Sequence, residues 1–128
     1  MKELLAIGAG GAIGSMLRYL AASGMAALYG KDFPYGTLTV NVIGSFLMGF
    51  LAILILDRLP NYSPVLAGFV LVGLLGGFTT FSTFSMDTFR LAFDGHVAAA
   101  GLNVLANVAL CLFGTYLGYL IAMRVFSA

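Results

Sequence analysis

Hydrophobic positions fall in four long runs, each longer than a core helix of a soluble domain. Phe33 to Leu56 is 24 residues without a charge, Leu59 to Met86 is 28, and Gly95 to Met123 is 29 with only His96 able to titrate. The first run, Leu4 to Tyr29, is interrupted only by Arg18. A helix rises ~1.5 Å per residue, so ~20 apolar residues cross the ~30 Å hydrocarbon core of a bilayer. The runs predict helices over Leu4–Leu28, from Tyr35 or Gly36 to Leu59, over Val65–Phe89 and over Val97–Phe126. Tyr29 to Pro34 reads as a turn. Asp57-Arg58-Leu59-Pro60-Asn61 closes the second span, because proline disfavours helix in the residue before it. Phe93-Asp94-Gly95 makes the last short connection.

Composition agrees with the pattern. Of 128 residues, 61% are hydrophobic and 9% charged, against ~25% charged in a typical soluble domain. The prediction is an all-α membrane protein, one domain over residues 1–128, embedded in the lipid bilayer. A cleaved signal peptide is disfavoured, since the first run carries Arg18 and more membrane follows. Six Lys and Arg in all, none in a run, argue against nucleic acid as a partner.

Charge also bears on orientation. Four spans put both termini on one side with Lys2, Arg58 and Arg124. The other side takes Lys31 and Arg90, and Arg18 if it faces that end. Basic residues normally fix topology by their asymmetry. Here the sides nearly balance, so the chain is expected to insert both ways, and two opposite copies can pair.

Few polar residues interrupt the spans. Arg18 either snorkels to an interface or gives a vestibule positive potential. Asn41, after Thr37 and Thr39, either ties helices together or donates its N–H groups to a passing solute. Asn103 and Asn107 share a face of the last span. Asp87 and Arg90 read as an interface pair, Tyr116 and Tyr119 as interfacial, and Cys111 as packing.

The densest feature is Gly73-Leu-Leu-Gly-Gly-Phe-Thr-Thr-Phe-Ser-Thr-Phe-Ser85. Glycines weaken helix, and hydroxyls can satisfy freed backbone groups. A short unwound segment there would bare carbonyls able to hold a cation such as sodium; a continuous helix with tight glycine packing is the other reading. Phe78, Phe81 and Phe84 either form bundle core or turn electropositive ring edges to an anion. Glycines at 8, 10, 11 and 14 suit close helix approach. They lack the strand–turn–helix setting of a dinucleotide loop. No nucleophile lies beside a base and no metal-ligand spacing is present, so no enzyme is predicted.

Three stretches in order, Gly10 to Tyr19, Gly36 to Ser45 and Gly73 to Ser85, resemble the small bacterial fluoride channel family (Fluc or CrcB) over nearly the whole chain. The resemblance implies four transmembrane helices, the third broken near its middle, in a dual-topology antiparallel homodimer of the bacterial inner membrane. It implies passive export of fluoride from the cytoplasm and resistance to its toxicity. It further implies Phe81 and Phe84 as pathway phenyls and Asn41 as pathway amide, with Thr83 and Ser85 on the polar side. Arg18 would be the vestibule arginine. Gly76 and Thr79 would give backbone carbonyls to a structural sodium shared between subunits.

Two other classes compete. A proton-coupled exporter of small anions or drugs needs a membrane-embedded acid, and no span carries one near its middle. A structural packing subunit leaves the Phe/Thr block without a role.

Overall fold

The computed structural model describes residues 1–59 and 63–126. Pro60 and Asn61, predicted to close the second span, lie outside the described residues. Five helices make the four spans: α1 (Lys2–Tyr29), α2 (Tyr35–Arg58), α3 (63–78), α4 (Phe81–Phe93) and α5 (Val97–Phe126). The third span is α3 and α4 together, broken at Thr79 and Thr80.

The ends follow local chemistry. Gly30 at φ 81° closes α1 and its N–H bonds Ala26 O at 3.0 Å. α4 runs four residues beyond the predicted Phe89, so Phe93 is helical rather than part of the connection. It stops at Gly95, φ 85°, where His96 N donates to Leu91 O at 2.8 Å and Gly95 N to Ala92 O at 3.1 Å. This is a Schellman ending, which needs the left-handed backbone that glycine adopts without strain. Wider π-helical turns occupy Ile53–Arg58 of α2 and Gly68–Leu75 of α3.

Small residues set the packing. α1 lies against α3, and α2 against α5. A Cβ on Gly77 would come within 2.7 Å of Gly11 O, and one on Gly73 within 2.6 Å of Ile7 O. Gly49 meets the backbone of Thr115, and Gly118 that of Phe46, just as closely. In lipid, apolar side chains gain nothing by leaving the solvent, so close backbone approach and hydrogen bonds hold helices together. The buried apolar cluster is correspondingly small: Ile55, Leu71 and Leu75, with Leu47, Leu51 and Val70 around it. Large apolar residues from Leu4 to Val125 lie exposed on the single chain, as a bilayer solvent allows.

The glycines do not make the break. Gly73 stays in the π-helical turns and Gly76 and Gly77 in a regular one, with Gly73 and Gly77 in close contact with α1. The chain leaves the helix two residues later, at Thr79 (φ −86°, ψ 161°) and Thr80 (φ −155°, ψ 118°). Backbone at this depth is tolerated outside a helix only where its polar groups find partners, and the threonine positions have them.

Candidate functional site: a polar break at mid-span

Every backbone group of Thr79 and Thr80 has a partner, within α3 or from another element. Thr79 N and Oγ1 both donate to Leu75 O at 3.0 Å. Thr79 O accepts from Arg18 Nη1 of α1 at 3.3 Å. Asn41 of α2 serves Thr80 on both sides: Thr80 N donates to Asn41 Oδ1 at 2.8 Å, and Asn41 Nδ2 donates to Thr80 O at 3.1 Å. Thr80 then caps α4, its hydroxyl oxygen accepting from Thr83 N at 3.1 Å. A threonine hydroxyl is a good acceptor for the free N–H groups of a first turn.

The break has a polarity. α4 begins at the break, and the N-terminus of a helix carries partial positive charge. Arg18 stands beside it, half-buried and turned inward to Thr79 instead of outward to an interface. α3 brings its C-terminal carbonyls to the same place, Gly76 exposed and Thr79 half-buried. Facing half-helices of this kind suit an anion on one side and a cation on the other. Among the described residues, no group of three His, Cys, Asp or Glu side chains could hold a metal.

Two cavities meet at α4. The outer one, about 700 Å³, opens between the 30–34 and 94–96 connections and is bordered by Lys31, Asp87, Arg90, His96, Thr37 and Thr83. The inner one, about 400 Å³, is bordered by Asn41, Thr79, Thr80, Phe81, Phe84 and Cys111. Thr83 belongs to the first and the next residue, Phe84, to the second. Thr80 Oγ1 donates to Thr83 Oγ1 at 3.0 Å, which leaves the Thr83 proton for another acceptor. In the outer cavity Asp87 accepts from the Thr37 hydroxyl at 2.7 Å.

Phe81 and Phe84 pack edge to face, centroids 5.2 Å apart and planes at 64°. Their environments differ: Phe84 is 7% exposed and Phe81 77% exposed. The wall that carries Phe81 is therefore uncovered on one chain.

Arg18, Asn41, Thr79, Phe81, Phe84 and Thr83 gather around the break. Ser85, half-buried on α4, borders neither cavity, and Gly76 faces outward from the end of α3. Asn41 has both its N–H groups in use, one on Thr80 O and one on Asn107 Oδ1 at 3.0 Å. A solute taking a hydrogen bond from it must displace one of these. Sequence reasoning gave no role to Thr80, which caps α4, or Thr37, which holds Asp87. The signal for Thr80 was its place three residues before Thr83, ahead of a helix.

Comparison with known proteins gives one consistent result. A family model described as "CrcB-like protein, Camphor Resistance (CrcB)" matches residues 5–119. A Geobacter sulfurreducens protein named fluoride-specific ion channel FluC is 51% identical over 125 residues, which cover 98% of this chain and 100% of that one. A protein of the same name from a Shewanella species is 49% identical over 118 residues, 92% of this chain and 94% of its own length. A Methylococcus capsulatus protein, also so named, is 46% identical over 123 residues, 96% of this chain and 54% of its own.

Proposed function

From the premise that the chain belongs to the CrcB/FluC family, we infer that it is a fluoride-selective channel. It is a multi-pass protein of the bacterial inner membrane and not an enzyme. It lets fluoride leave the cytoplasm passively and so protects the cell from fluoride toxicity.

The observation that carries the site assignment is the inner cavity, where Asn41, Thr80, Phe81 and Phe84 surround the N-terminus of α4. Fluoride is small and holds its water tightly. A path through lipid must replace that water with donors and positive potential. Arg18 and the α4 terminus give the potential, the phenyl edges are electropositive, and the Thr83 hydroxyl offers a donor at the cavity boundary. Arg18 cannot take part as a proton shuttle, because its guanidinium stays charged. Ser85 has the weakest claim, having no share in either cavity.

The uncovered face of Phe81 and the nearly balanced flanking charge both favour an antiparallel homodimer, in which a second copy supplies the missing wall. In that pair Gly76 and Thr79 of each copy would give neutral carbonyl oxygens to a structural sodium on the two-fold axis. Such hard donors suit an alkali cation. The Thr79 carbonyl has two lone pairs, enough for Arg18 and an ion together. A crystal structure of the dimer tests this, because the ion would appear as density touching both carbonyls.

Efflux from proteoliposomes tests the channel. With valinomycin carrying potassium as counter-ion, fluoride should run down its gradient without an imposed pH gradient, and chloride should not follow. Strict dependence on a proton gradient would favour an exporter, and a folded but silent protein would overturn transport altogether.

A further inference from the structure

Asn107 borders the inner cavity and Asn103 lies behind it, and the two are the most deeply enclosed polar residues near the break, 4% and 0% exposed. They stand one turn apart on α5. Their hydrogen bonds run in one direction. Asn41 Nδ2 donates to Asn107 Oδ1 at 3.0 Å, and Asn107 Nδ2 to both Asn103 Oδ1 and Asn103 O at 3.0 Å. Asn103 Nδ2 donates to Thr88 Oγ1 at 2.9 Å, and Thr88 Oγ1 to Phe84 O at 2.8 Å.

Followed from Thr80, which donates to Asn41, this chain leaves α4, crosses α2 and α5, and returns to α4 at Phe84. It closes a loop around the turn that bears Phe81 and Phe84. It also fixes which way each amide faces. The Asn103 backbone carbonyl can only accept, so Asn107 must present its NH₂ there and its oxygen to Asn41. The Thr80 backbone sets Asn41 in the same sense, with its NH₂ toward Thr80 O and Asn107 and its oxygen toward Thr80 N. A flipped Asn41 would set oxygen against oxygen and N–H against N–H, which is costly for a buried amide.

We propose that Asn103, Asn107 and Thr88 are positioning residues of the fluoride path: they lock the orientation of the Asn41 amide and hold the Phe81–Phe84 turn at both ends. The proposal rests on the channel reading above. It makes the last span, which contributes no ring and no charge to the inner cavity, a determinant of how the cavity is shaped.

The test compares fluoride and chloride efflux for wild type, Thr88→Val, Asn103→Leu, Asn107→Leu and the Asn103→Leu/Asn107→Leu double variant, each first checked as a monodisperse oligomer. Interhelical hydrogen bonds in membranes contribute ~0.6 kcal/mol on average and ~1.7 at most, so each single change should slow fluoride about three- to twentyfold. The fluoride-to-chloride ratio should fall with it, a change that lost stability alone does not produce. Groups acting through one chain are non-additive, so the double variant should lose no more than Asn107→Leu. Thr88→Val is nearly isosteric and keeps the test open if an asparagine variant fails to fold. Folded variants with wild-type flux and selectivity, or losses that multiply in the double variant, would overturn the proposal. A silent wild type would instead remove the channel reading beneath it.

Discussion

Arg18, in the middle of α1, reaches across the bundle to the backbone carbonyl of Thr79, 61 residues later, and hydrogen-bonds it at 3.3 Å. A charge in lipid is thereby directed to the one stretch of third-span backbone that has left the helix.

That pairing separates charge from hydrogen bonding. Arg18→Lys keeps a cation and a donor, whereas Arg18→Gln keeps only a donor. A hydrogen bond to a charged group is worth ~1.5–3 kcal/mol, so Arg18→Gln should lower fluoride efflux by about tenfold or more, and Arg18→Lys by less. Equal losses in the two variants would show that the charge is not what matters.

The two phenyl rings should respond differently to one substitution. Phe81→Ile alters a ring that stands outside the fold of its own chain and faces the second copy in the proposed dimer, so flux should fall while each chain stays folded and the dimer is preserved. Phe84→Ile alters a buried ring that touches its neighbour edge to face. It should lose flux and also about 1 kcal/mol of stability. Loss of stability in Phe81→Ile without loss of flux would contradict the assignment.

Glycines of the helix contacts should tolerate no methyl group. Gly77→Ala would press a Cβ against Gly11 O, and should cost about 1–3 kcal/mol by overpacking. Gly101 on α5 has nothing within 4 Å of its Cβ position. Gly101→Ala should be neutral, or stabilising by about 0.5–1 kcal/mol through helix propensity. Thermal unfolding of both variants in one detergent makes the comparison.

Cys111 borders the same inner cavity as Asn41, Phe81 and Phe84. A small thiol reagent such as methylmercury should therefore slow fluoride efflux, and Cys111→Ser should conduct but resist the reagent. Unchanged efflux after full labelling, verified by mass, would place the thiol away from the path.

The spans themselves were legible from the sequence. α1, α2 and α5 begin or end within two residues of the charge-free runs, because lipid demands apolar length and little else. The break in the third span was legible near its middle, within Gly73 to Ser85, but not which residues part there. Gly73, Gly76 and Gly77 suggested weak helix, yet all three stay helical, Gly73 and Gly77 close against α1, and the chain parts at Thr79 and Thr80, where Arg18 and Asn41 can serve it. Those partners lie 61 and 39 residues away, beyond any local pattern. The same distance hid the work of Asn41. Its amide was expected either to tie helices together or to donate to a solute; both N–H groups are held by other helices while the residue borders the inner cavity. Asn103 and Asn107 were seen to share a face, but only the folded chain joins them to Thr88 and Phe84.

The pairing of Thr80 with Asn41 also bears on biogenesis. When the ribosome releases the third span, Asn41 is already synthesised and ready to receive its kinked backbone. Asn103 and Asn107 emerge later. A chain truncated before the final span should still enter the membrane and bend, its amide at 41 held by the Thr80 backbone alone. Completion of the pore is thus a late event in the life of the nascent polypeptide.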